Sequence, residues 1–173
     1  REGILSTGNE VLEDGLEYPD LEKKGKVFDS NRPMLLSLMQ RWGFDGFDLG
    51  VIRDEKDSLR ERLDDASFQV DVIISSGGVS SGDEDYVAKL IKSEGKLENW
   101  RIAIKPGRPL ALGLWNGTPI FGLPGNPVAA FVCSLIFAKP ALGVLAGSGW
   151  ANPLGYNVIS SFNKKKKLGR REY

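Results

Sequence analysis

The segment that most constrains the fold of this chain is an apolar run that leads through a glycine-rich stretch into a segment with helical spacing. Val70–Ile74 is rich in β-branched residues, Ser75–Asp83 contains three glycines and four serines, and Asp83–Lys92 has the pattern of a helix. Apolar runs alternate with amphipathic segments along the rest of the chain in the same way. This alternation is typical of α/β domains, in which helices cover a mostly parallel sheet. The sequence therefore predicts an α/β fold.

Further elements follow from the same periodicities. Strands are predicted at Gly3–Ser6, Phe44–Ile52, Trp100–Ile104, Leu110–Trp115 and Thr118–Phe121, and helices at Pro33–Trp42, Lys56–Ala66 and Pro127–Leu145. Asp29 or Ser30 can cap the first helix, and Asn116-Gly117 predicts a tight hairpin. The long apolar helix is expected to be buried on most sides. One largely parallel sheet is expected to contain the strands around Ile4, Val51, Val72 and Ile102.

The length of 173 residues corresponds to about one domain. The predicted elements place an α/β domain at residues 1–148, followed by a Pro- and Gly-containing linker at 149–157. Residues 158–173 are expected to begin a different unit. Because the chain opens without a Met and stops in a charged stretch, we expect it to be part of a longer protein.

Two residue types that are scarce or missing limit the chemistry. The chain has no His and one Cys, Cys133, so imidazole cannot act as a base or a ligand and no internal disulfide can form. A Cys-rich zinc site is excluded as well. Any bound metal would need oxygen ligands, as Mg²⁺ prefers.

The formal net charge of zero conceals an asymmetry. The last ten residues hold six of the 23 Lys and Arg but one of the 23 Asp and Glu, which leaves 17 cations against 22 anions in residues 1–163. A broad nucleic-acid-binding surface is not expected on such an acidic body. An anionic ligand would instead need backbone N–H groups and one or two well-placed cations.

Neither a membrane span nor a signal peptide is predicted. The longest apolar stretch, Val128–Ala138, has 11 residues, whereas about 20 are needed to span a bilayer. The N-terminal sequence REGILSTG lacks the apolar region of a signal peptide. We therefore expect a cytoplasmic protein.

The glycine-rich stretch Ser75–Asp83 follows a strand, where ligands of α/β sheets bind. Gly77 and Gly78 let the backbone approach an anion, although the same glycines would serve a plain tight turn. Gly78–Gly82 also matches the GxSxG pattern, with Ser80 as the nucleophile. Without a His in the chain, Ser80 lacks its usual base. A Ser–Lys arrangement with Lys105 stays open.

Three acids, Asp83, Glu84 and Asp85, stand at the start of the next predicted helix. Such a cluster is typical of compensation for the helix dipole. Asp85 differs because it lies just inside the helix beside the glycine loop, where it could reach a ligand or Mg²⁺. For Asp85 both roles stay open.

The best candidate for an anion site is Lys105-Pro106-Gly107-Arg108-Pro109, which follows a predicted strand. Two cations three positions apart are held by two prolines, which lower the entropy lost when the loop is ordered. A plain turn needs neither cation. The alternative is a solvated turn.

Gly122–Pro127 connects a strand to the long helix. Asn126 can cap that helix and Pro127 fits its first turn. The helix N-terminus suits a phosphate, but the segment can also be purely structural. Cys133, in the middle of the apolar helix, is expected to be a small buried hydrophobic residue rather than a reactive thiol.

Taken in order, these motifs resemble the molybdopterin molybdenumtransferase (molybdenum insertase) family, which includes MoeA-type proteins and the E domain of gephyrin. The resemblance covers about residues 3–147. The matching segments are Ser6–Glu10, Asp29–Asn31, Asp48–Gly50, Ser76–Ser80, Gly82-Asp83 with Asp85-Tyr86, Lys105–Pro109 and Gly122–Val128. The resemblance implies a three-layer α/β/α fold with a mostly parallel sheet, the MogA-like molybdopterin-binding fold. It also implies that residues 158–173 are the first part of a truncated C-terminal β domain.

The resemblance implies an enzyme that inserts molybdate into adenylylated molybdopterin and releases AMP, with Mg²⁺ or another divalent cation. It assigns catalytic roles to Asp85, Ser80 and Lys105, with Asp85 also as the metal ligand. The residues that it assigns to substrate binding are Thr7, Gly8, Glu10, Asp29, Ser30, Asn31, Gly77, Gly78, Val79, Asp83, Arg108, Pro124, Gly125 and Asn126.

The resemblance also bears on partners. It implies a homodimer and a transient contact with a molybdopterin adenylyltransferase, and neither nucleic acid nor membrane is expected as a partner. Molybdopterin adenylyltransferases and CinA-type proteins look like the same fold, and the E domain of gephyrin is also a scaffold, so these alternatives stay open. Two positions depart from the family pattern: Arg108 stands where many members have Lys, and Ala129 where many have Ser.

Overall fold

The computed structural model describes residues 1–12, 25–78, 86–107, 109–165 and 168–173, and of residues 99–101 the backbone alone. The fold and the site are described for these residues. The predicted site residues Val79, Ser80, Asp83, Asp85 and Arg108 lie outside them.

A six-stranded sheet forms the centre of the described structure. Its strands in chain order are β1 (Glu2–Thr7), β4 (Gly46–Ile52), β5 (Val72–Ser76), β6 (Lys96–Arg101), β8 (Pro109–Trp115) and β9 (Thr118–Leu123). In space their order is β4-β1-β5-β9-β8-β6. The first four are mutually parallel. Two short pairs lie outside this sheet: β2 (Val11–Leu12) with β3 (Val27–Phe28), and β7 (Ile104–Lys105) with β10 (Arg171–Glu172).

Helices cover both faces of the sheet. They are α1 (Asn31–Arg41), α2 (Lys56–Gln69), α3 (Tyr86–Ser93), α4 (Pro127–Cys133) and α5 (Lys139–Leu145). A π-helical turn, Ser134–Ala138, joins α4 and α5 into one continuous helix. α1 and this long helix pack on one face, and α2 and α3 on the other. The predicted three-layer α/β/α architecture is confirmed.

Successive side chains of a strand point to opposite faces of the sheet. Because helices cover both faces, the central strands are buried on both sides. In β5, Ile73 packs in the cluster with α2 and α3, whereas Val72 and Ile74 pack with α1 and the long helix. Leu5 and Ile4 of β1 divide in the same way. Continuous apolar runs are therefore the sequence pattern of these strands.

The strand predicted at Trp100–Ile104 lies earlier in the chain: β6 covers Lys96–Arg101, and Ile102 comes directly after it. β6 is antiparallel to its neighbour β8, which is itself antiparallel to β9, so β6 runs in the same direction as the four parallel strands and belongs to the expected largely parallel sheet. Asn116 and Gly117 have φ values of 49° and 85°, and the tight turn that they form reverses the chain between β8 and β9. Because this turn joins them directly, β8 is antiparallel to β9, and β6 forms the edge of the sheet beside β8.

The long helix is less buried than predicted. Ala130, Cys133 and Leu142 face the core, but Val128 and Leu145 are exposed, because a helix packed on one face of a sheet leaves its outer side open. Its length and mean hydropathy of 2.1 would allow it to cross a membrane, although core helices of soluble proteins meet the same criterion. Here it covers one face of the sheet.

The chain after the long helix has little contact with the domain. Residues 149–165 are exposed and carry no helix or strand. Further on, the Arg171 backbone N–H donates to the Ala103 carbonyl (2.8 Å) and the Tyr173 N–H to the Lys105 carbonyl (3.0 Å). The division into a domain at 1–148, a linker at 149–157 and the start of a β domain at 158–173 stays a prediction.

Candidate functional site: a polar cleft at the carboxyl edge of the sheet

The carboxyl ends of β1, β5 and β9 open onto a cleft of about 740 Å³. The start of α1 and the short strands β2 and β3 complete its wall. Ligands of parallel α/β sheets bind at this edge, and the volume is in the range of small-molecule sites. The predicted site residues that line it are Thr7, Gly8, Glu10, Asp29, Ser30, Asn31, Gly77, Gly78 and Gly125.

Two glycines allow the end of β5 to lie directly against the end of β1. Gly77 and Gly78 have φ values of 90° and 64°, in the left-handed region that favours glycine. A Cβ on Gly77 would lie 2.3 Å from the Thr7 carbonyl oxygen, and a Cβ on Gly78 would lie 2.9 Å from Thr7 Oγ1. The glycines therefore have a steric role, and their contact with Thr7 forms the floor of the cleft.

Asn31 joins three segments at the cleft. It is the first residue of α1 and is buried. Its Nδ2 donates to Ser76 Oγ at the end of β5 (2.7 Å) and to the Gly125 carbonyl after β9 (2.8 Å). Because Gly125 offers only a carbonyl acceptor there, the amide can satisfy both contacts only with Nδ2 on this side.

Asp29, rather than Ser30, caps α1. Its Oδ1 accepts hydrogen bonds from the backbone N–H groups of Asn31 and Arg32, both at 3.1 Å, while the Ser30 side chain makes no cap bond. Arg32 Nε donates to Asp29 Oδ2 (3.1 Å), and Arg32 Nη1 donates to both carboxylate oxygens of Asp48. Burial alone would lower the pKa of Arg32, but its hydrogen bonds to Asp48 and Asp29 raise it.

Three buried polar atoms of the cleft have no hydrogen-bond partner among the described residues. They are Ser6 Oγ, Thr7 Oγ1 and Asn31 Oδ1, and all three residues are at least nine-tenths buried. A buried polar atom without a partner costs about 1–3 kcal/mol, so native structures rarely leave one unpaired. Three such atoms in one cleft indicate a site built for a polar ligand.

The charge of the described lining is negative. Glu10, Asp29 and Asp54 contribute carboxylates, and no Lys or Arg is among the described residues that line the cleft. Asp29 is neutralised by its contacts with Arg32. This part of the cleft therefore suits a ligand surface with N–H or O–H donors better than a phosphate, which needs cations.

Lys105 lies apart from the cleft lining, on β7. Its side chain is 59% exposed, and its Nζ is 3.9 Å from the Glu172 carboxylate. The loop that follows packs on the long helix, since Cys133 Sγ contacts the Gly107 carbonyl at 3.6 Å. The predicted role of Lys105 in anion binding stays a prediction.

Asn126 and Cys133, two further residues considered in the sequence analysis, have structural roles. Asn126 caps α4, with its Oδ1 accepting from the Ala129 backbone N–H (3.1 Å), and with Pro124 it flanks Gly125 at the cleft. Burial raises the pKa of the Cys133 thiol to about 12, in agreement with the expected inert core residue.

The described residues do not fit a metal site. Within the described ranges no three His, Cys, Asp or Glu side chains are grouped so that they could hold an ion. Of the carboxylates in the cleft, Asp29 is already bound by Arg32 and the start of α1. The predicted Mg²⁺ ligand, Asp85, lies outside the described residues, so Mg²⁺ stays a prediction and no step is derived through it.

Sequence reasoning missed several residues of the site. The cleft residues to which it assigned no catalytic or binding role are Ser6, Val11, Val27, Phe28, Asp54, Ser76 and Pro127. Ser6 and Ser76 carried a detectable signal, because each is a polar residue at the carboxyl end of an apolar strand. Arg32 was missed as well, although it stands three positions after Asp29, the helical spacing at which side chains meet.

A mostly parallel sheet with helices on both faces and a polar cleft at its carboxyl edge defines a ligand-binding domain of the α/β class. The sequence comparison is consistent with this class. Residues 3–143 match the family described as a probable molybdopterin binding domain, and the chain belongs to this family.

Relatives and solved structures agree with this assignment. The molybdopterin molybdenumtransferase of Haemophilus influenzae is 34% identical over 172 residues, which cover 99% of this chain and 42% of that protein. The structure of the MoeA protein of molybdopterin biosynthesis from Pyrococcus horikoshii has a TM-score of 0.73 at 27% identity, over 99% of this chain and 39% of that one. A MogA structure (20% identity, TM-score 0.56, 86% and 97% covered) shares the fold.

The resemblance to molybdenumtransferases and the MogA-like fold are therefore confirmed. The chain spans less than half the length of the Haemophilus influenzae and Pyrococcus horikoshii proteins.

Proposed function

We propose that this chain is the molybdopterin-binding domain of an enzyme of molybdenum cofactor biosynthesis, and that the whole protein inserts molybdate at the dithiolene of adenylylated molybdopterin and releases AMP. The observation that carries the proposal is the group of three unpaired buried atoms at the floor of the cleft. The names of the relatives supply the ligand class.

The chemistry of a pterin ring suits this floor. Its amino group and ring N–H are adjacent hydrogen-bond donors, and Asn31 Oδ1 is an acceptor on an amide whose Nδ2 is already bound to Ser76 and Gly125. The Ser6 and Thr7 hydroxyls can accept or donate. In this proposal the pterin edge enters the cleft floor, and Lys105 and Arg108 are proposed from the family pattern to hold the phosphates and molybdate.

Other parts of the proposal rest on the family alone. Asp85 remains the proposed active-site carboxylate, Ser80 and Lys105 are the other proposed catalytic residues, and Mg²⁺ or another divalent cation is the proposed cofactor. A homodimer, a transient contact with a molybdopterin adenylyltransferase and a cytoplasmic location are proposed in the same way.

Thr7→Val tests the role of the cleft floor. The change keeps the β-branched shape and removes a buried hydroxyl that has no partner among the described residues, so the free energy of unfolding of the ligand-free protein should rise by about 1 kcal/mol or more. Loss of a hydrogen bond to the ligand should weaken binding of adenylylated molybdopterin by about 1 kcal/mol, roughly five-fold. The measurement is isothermal titration into the full-length protein.

Ser75→Ala is the matched control. Ser75 Oγ is also buried and unpaired in the described structure, but Ser75 does not line the cleft. Parent-like affinity is expected for this variant. If Thr7→Val and Ser75→Ala both bind like the parent, the cleft floor is not the pterin site. If the protein transfers AMP from ATP and does not release AMP in a molybdate-dependent reaction, it is an adenylyltransferase. If it has neither activity, the scaffold alternative is favoured.

A further inference from the structure

Arg32 is the centre of an ion-pair network with Asp29 and Asp48, and Arg32 itself lies outside the motif segments that match the family. Its Nε donates to Asp29 Oδ2 at 3.1 Å, and its Nη1 contacts Asp48 Oδ1 and Oδ2 at 2.7 Å and 2.6 Å. The Arg32 side chain is 12% exposed and that of Asp29 is 3% exposed, whereas Asp48 is 47% exposed. Arg32 thus joins a buried carboxylate at the cleft to a half-exposed one on β4.

The network reaches the cleft through the start of α1. Asp29 receives Arg32 on one oxygen and uses the other to hold the backbone N–H of Asn31. At the far end, Asp48 Oδ1 also accepts from the Gly50 N–H at 2.8 Å, which fixes the carboxylate on its strand. The backbone of Asn31 is therefore tied to β4 through two carboxylates and one guanidinium.

The Asn31 side chain makes separate contacts. Nδ2 contacts the ends of β5 and β9, and Oδ1 is left as an unpaired acceptor in the cleft. Small displacements of the α1 start would move this oxygen, since a hydrogen bond weakens steeply when its length or angle departs from the optimum. A site of this kind depends on the residues that fix its ligand-binding atoms.

We propose that Arg32 and Asp48 are positioning residues that hold Asn31 Oδ1 in the geometry required to accept a hydrogen bond from the pterin. The inference rests on the proposed function, because it deepens the role of the same cleft. The contact requires an arginine: only a guanidinium can donate from Nε to one carboxylate and from Nη1 to another, and a lysine would offer a single ammonium.

Asp48→Asn and Arg32→Met test the proposal in the full-length protein, with anaerobic titration of adenylylated molybdopterin. Asp48→Asn is the milder change, because Asp48 is half-exposed and its oxygen can still accept from Gly50. Each variant is expected to bind the ligand about ten-fold more weakly than the parent. Arg32→Lys should restore part of the thermal stability lost in Arg32→Met but not the affinity.

A double-mutant cycle distinguishes positioning from a general loss of stability. In an Asn31→Ala background there is no Oδ1 to position, so adding Asp48→Asn should cause no further loss of affinity. In a Thr7→Val background the two losses should multiply, because the removed hydroxyl is not held by this network. Equal further losses in both backgrounds would overturn the proposal.

Arg60→Met is the matched control. Arg60, on α2, makes a two-point contact with Glu94 and a further contact with Asp57, and none of these three residues is among those that line the cleft. This variant should bind the ligand like the parent. If Asn31→Ala itself binds like the parent, the assignment of the cleft fails; if Asn31→Ala loses affinity and Asp48→Asn and Arg32→Met do not, only the positioning role fails.

Discussion

The cleft floor and the Lys105–Gly107 loop each have a glycine shortly after the end of a strand. They differ in whether the polar groups beside that glycine are buried or exposed to solvent. At the cleft floor, Gly77 lets the end of β5 lie against Thr7, and buried polar atoms of Thr7 and Asn31 lack partners among the described residues. At the other loop, Gly107 lets the backbone pack on Cys133, and the polar group, Lys105, points to solvent. Glycine serves close packing in both cases.

The difference lies in the neighbour that each glycine meets. Gly77 meets a backbone carbonyl at the edge of the central sheet, which cannot move without disturbing a strand. Gly107 meets the sulfur of a side chain on the long helix, where a Cβ would lie 2.5 Å away. The cleft floor is thus formed by strands of the central sheet, whereas the Lys105–Gly107 loop packs against a side chain on the long helix.

Gly77→Ala is expected to have the largest effect. It places a Cβ 2.3 Å from the Thr7 carbonyl at a φ of 90°, so left-handed strain and overpacking should together lower the free energy of unfolding by about 3 kcal/mol. Gly43→Ala, at a φ of 83° with open space around the Cβ, should cost only about 1 kcal/mol. Urea unfolding measures both, and equal losses would show that the close approach to β1 is unimportant.

Gly107→Ala should lower the stability less than Gly77→Ala, and a second substitution at Cys133 should recover part of the loss. The φ of 101° and the contact with Cys133 Sγ predict a loss of about 2 kcal/mol. Removing the sulfur removes the clash, so in a Cys133→Ala background the same change should cost only about 1 kcal/mol. Gly77→Ala should gain nothing from Cys133→Ala, and relief of both variants would contradict the contrast between the two loops.

Lys105→Ala should change binding more than stability. The side chain is exposed and its contact with Glu172 is long, so unfolding should change by less than about 0.5 kcal/mol. Affinity for adenylylated molybdopterin should fall about ten-fold at low salt, by roughly 1.5 kcal/mol. Because exposed charges are screened, this loss should shrink in 0.5 M salt, whereas the loss in Thr7→Val should not. Parent-like affinity at low salt would show that Lys105 does not bind the ligand and that the loop is a solvated turn.

The sequence determined the layers of this fold. The apolar runs of β1, β5 and β9, the Asn116-Gly117 turn and the cap residues Asp29 and Asn126 are local features, because periodicity and turn chemistry depend on neighbours along the chain. The order of the loops also predicted the edge of the sheet at which Thr7, Asn31 and Gly77 meet.

Only the tertiary structure decided which polar groups pair. The position of β6 beside β8 depends on which edge of the sheet is free, and the exposed side of the long helix depends on what packs over it. Arg32 lies next to Asn31 in sequence, but its bond to Asp48 exists only because α1 packs beside β4. Likewise, no local pattern shows that Thr7 Oγ1 and Asn31 Oδ1 are left unpaired, since hydrogen bonds to distant segments are settled only when the layers come together.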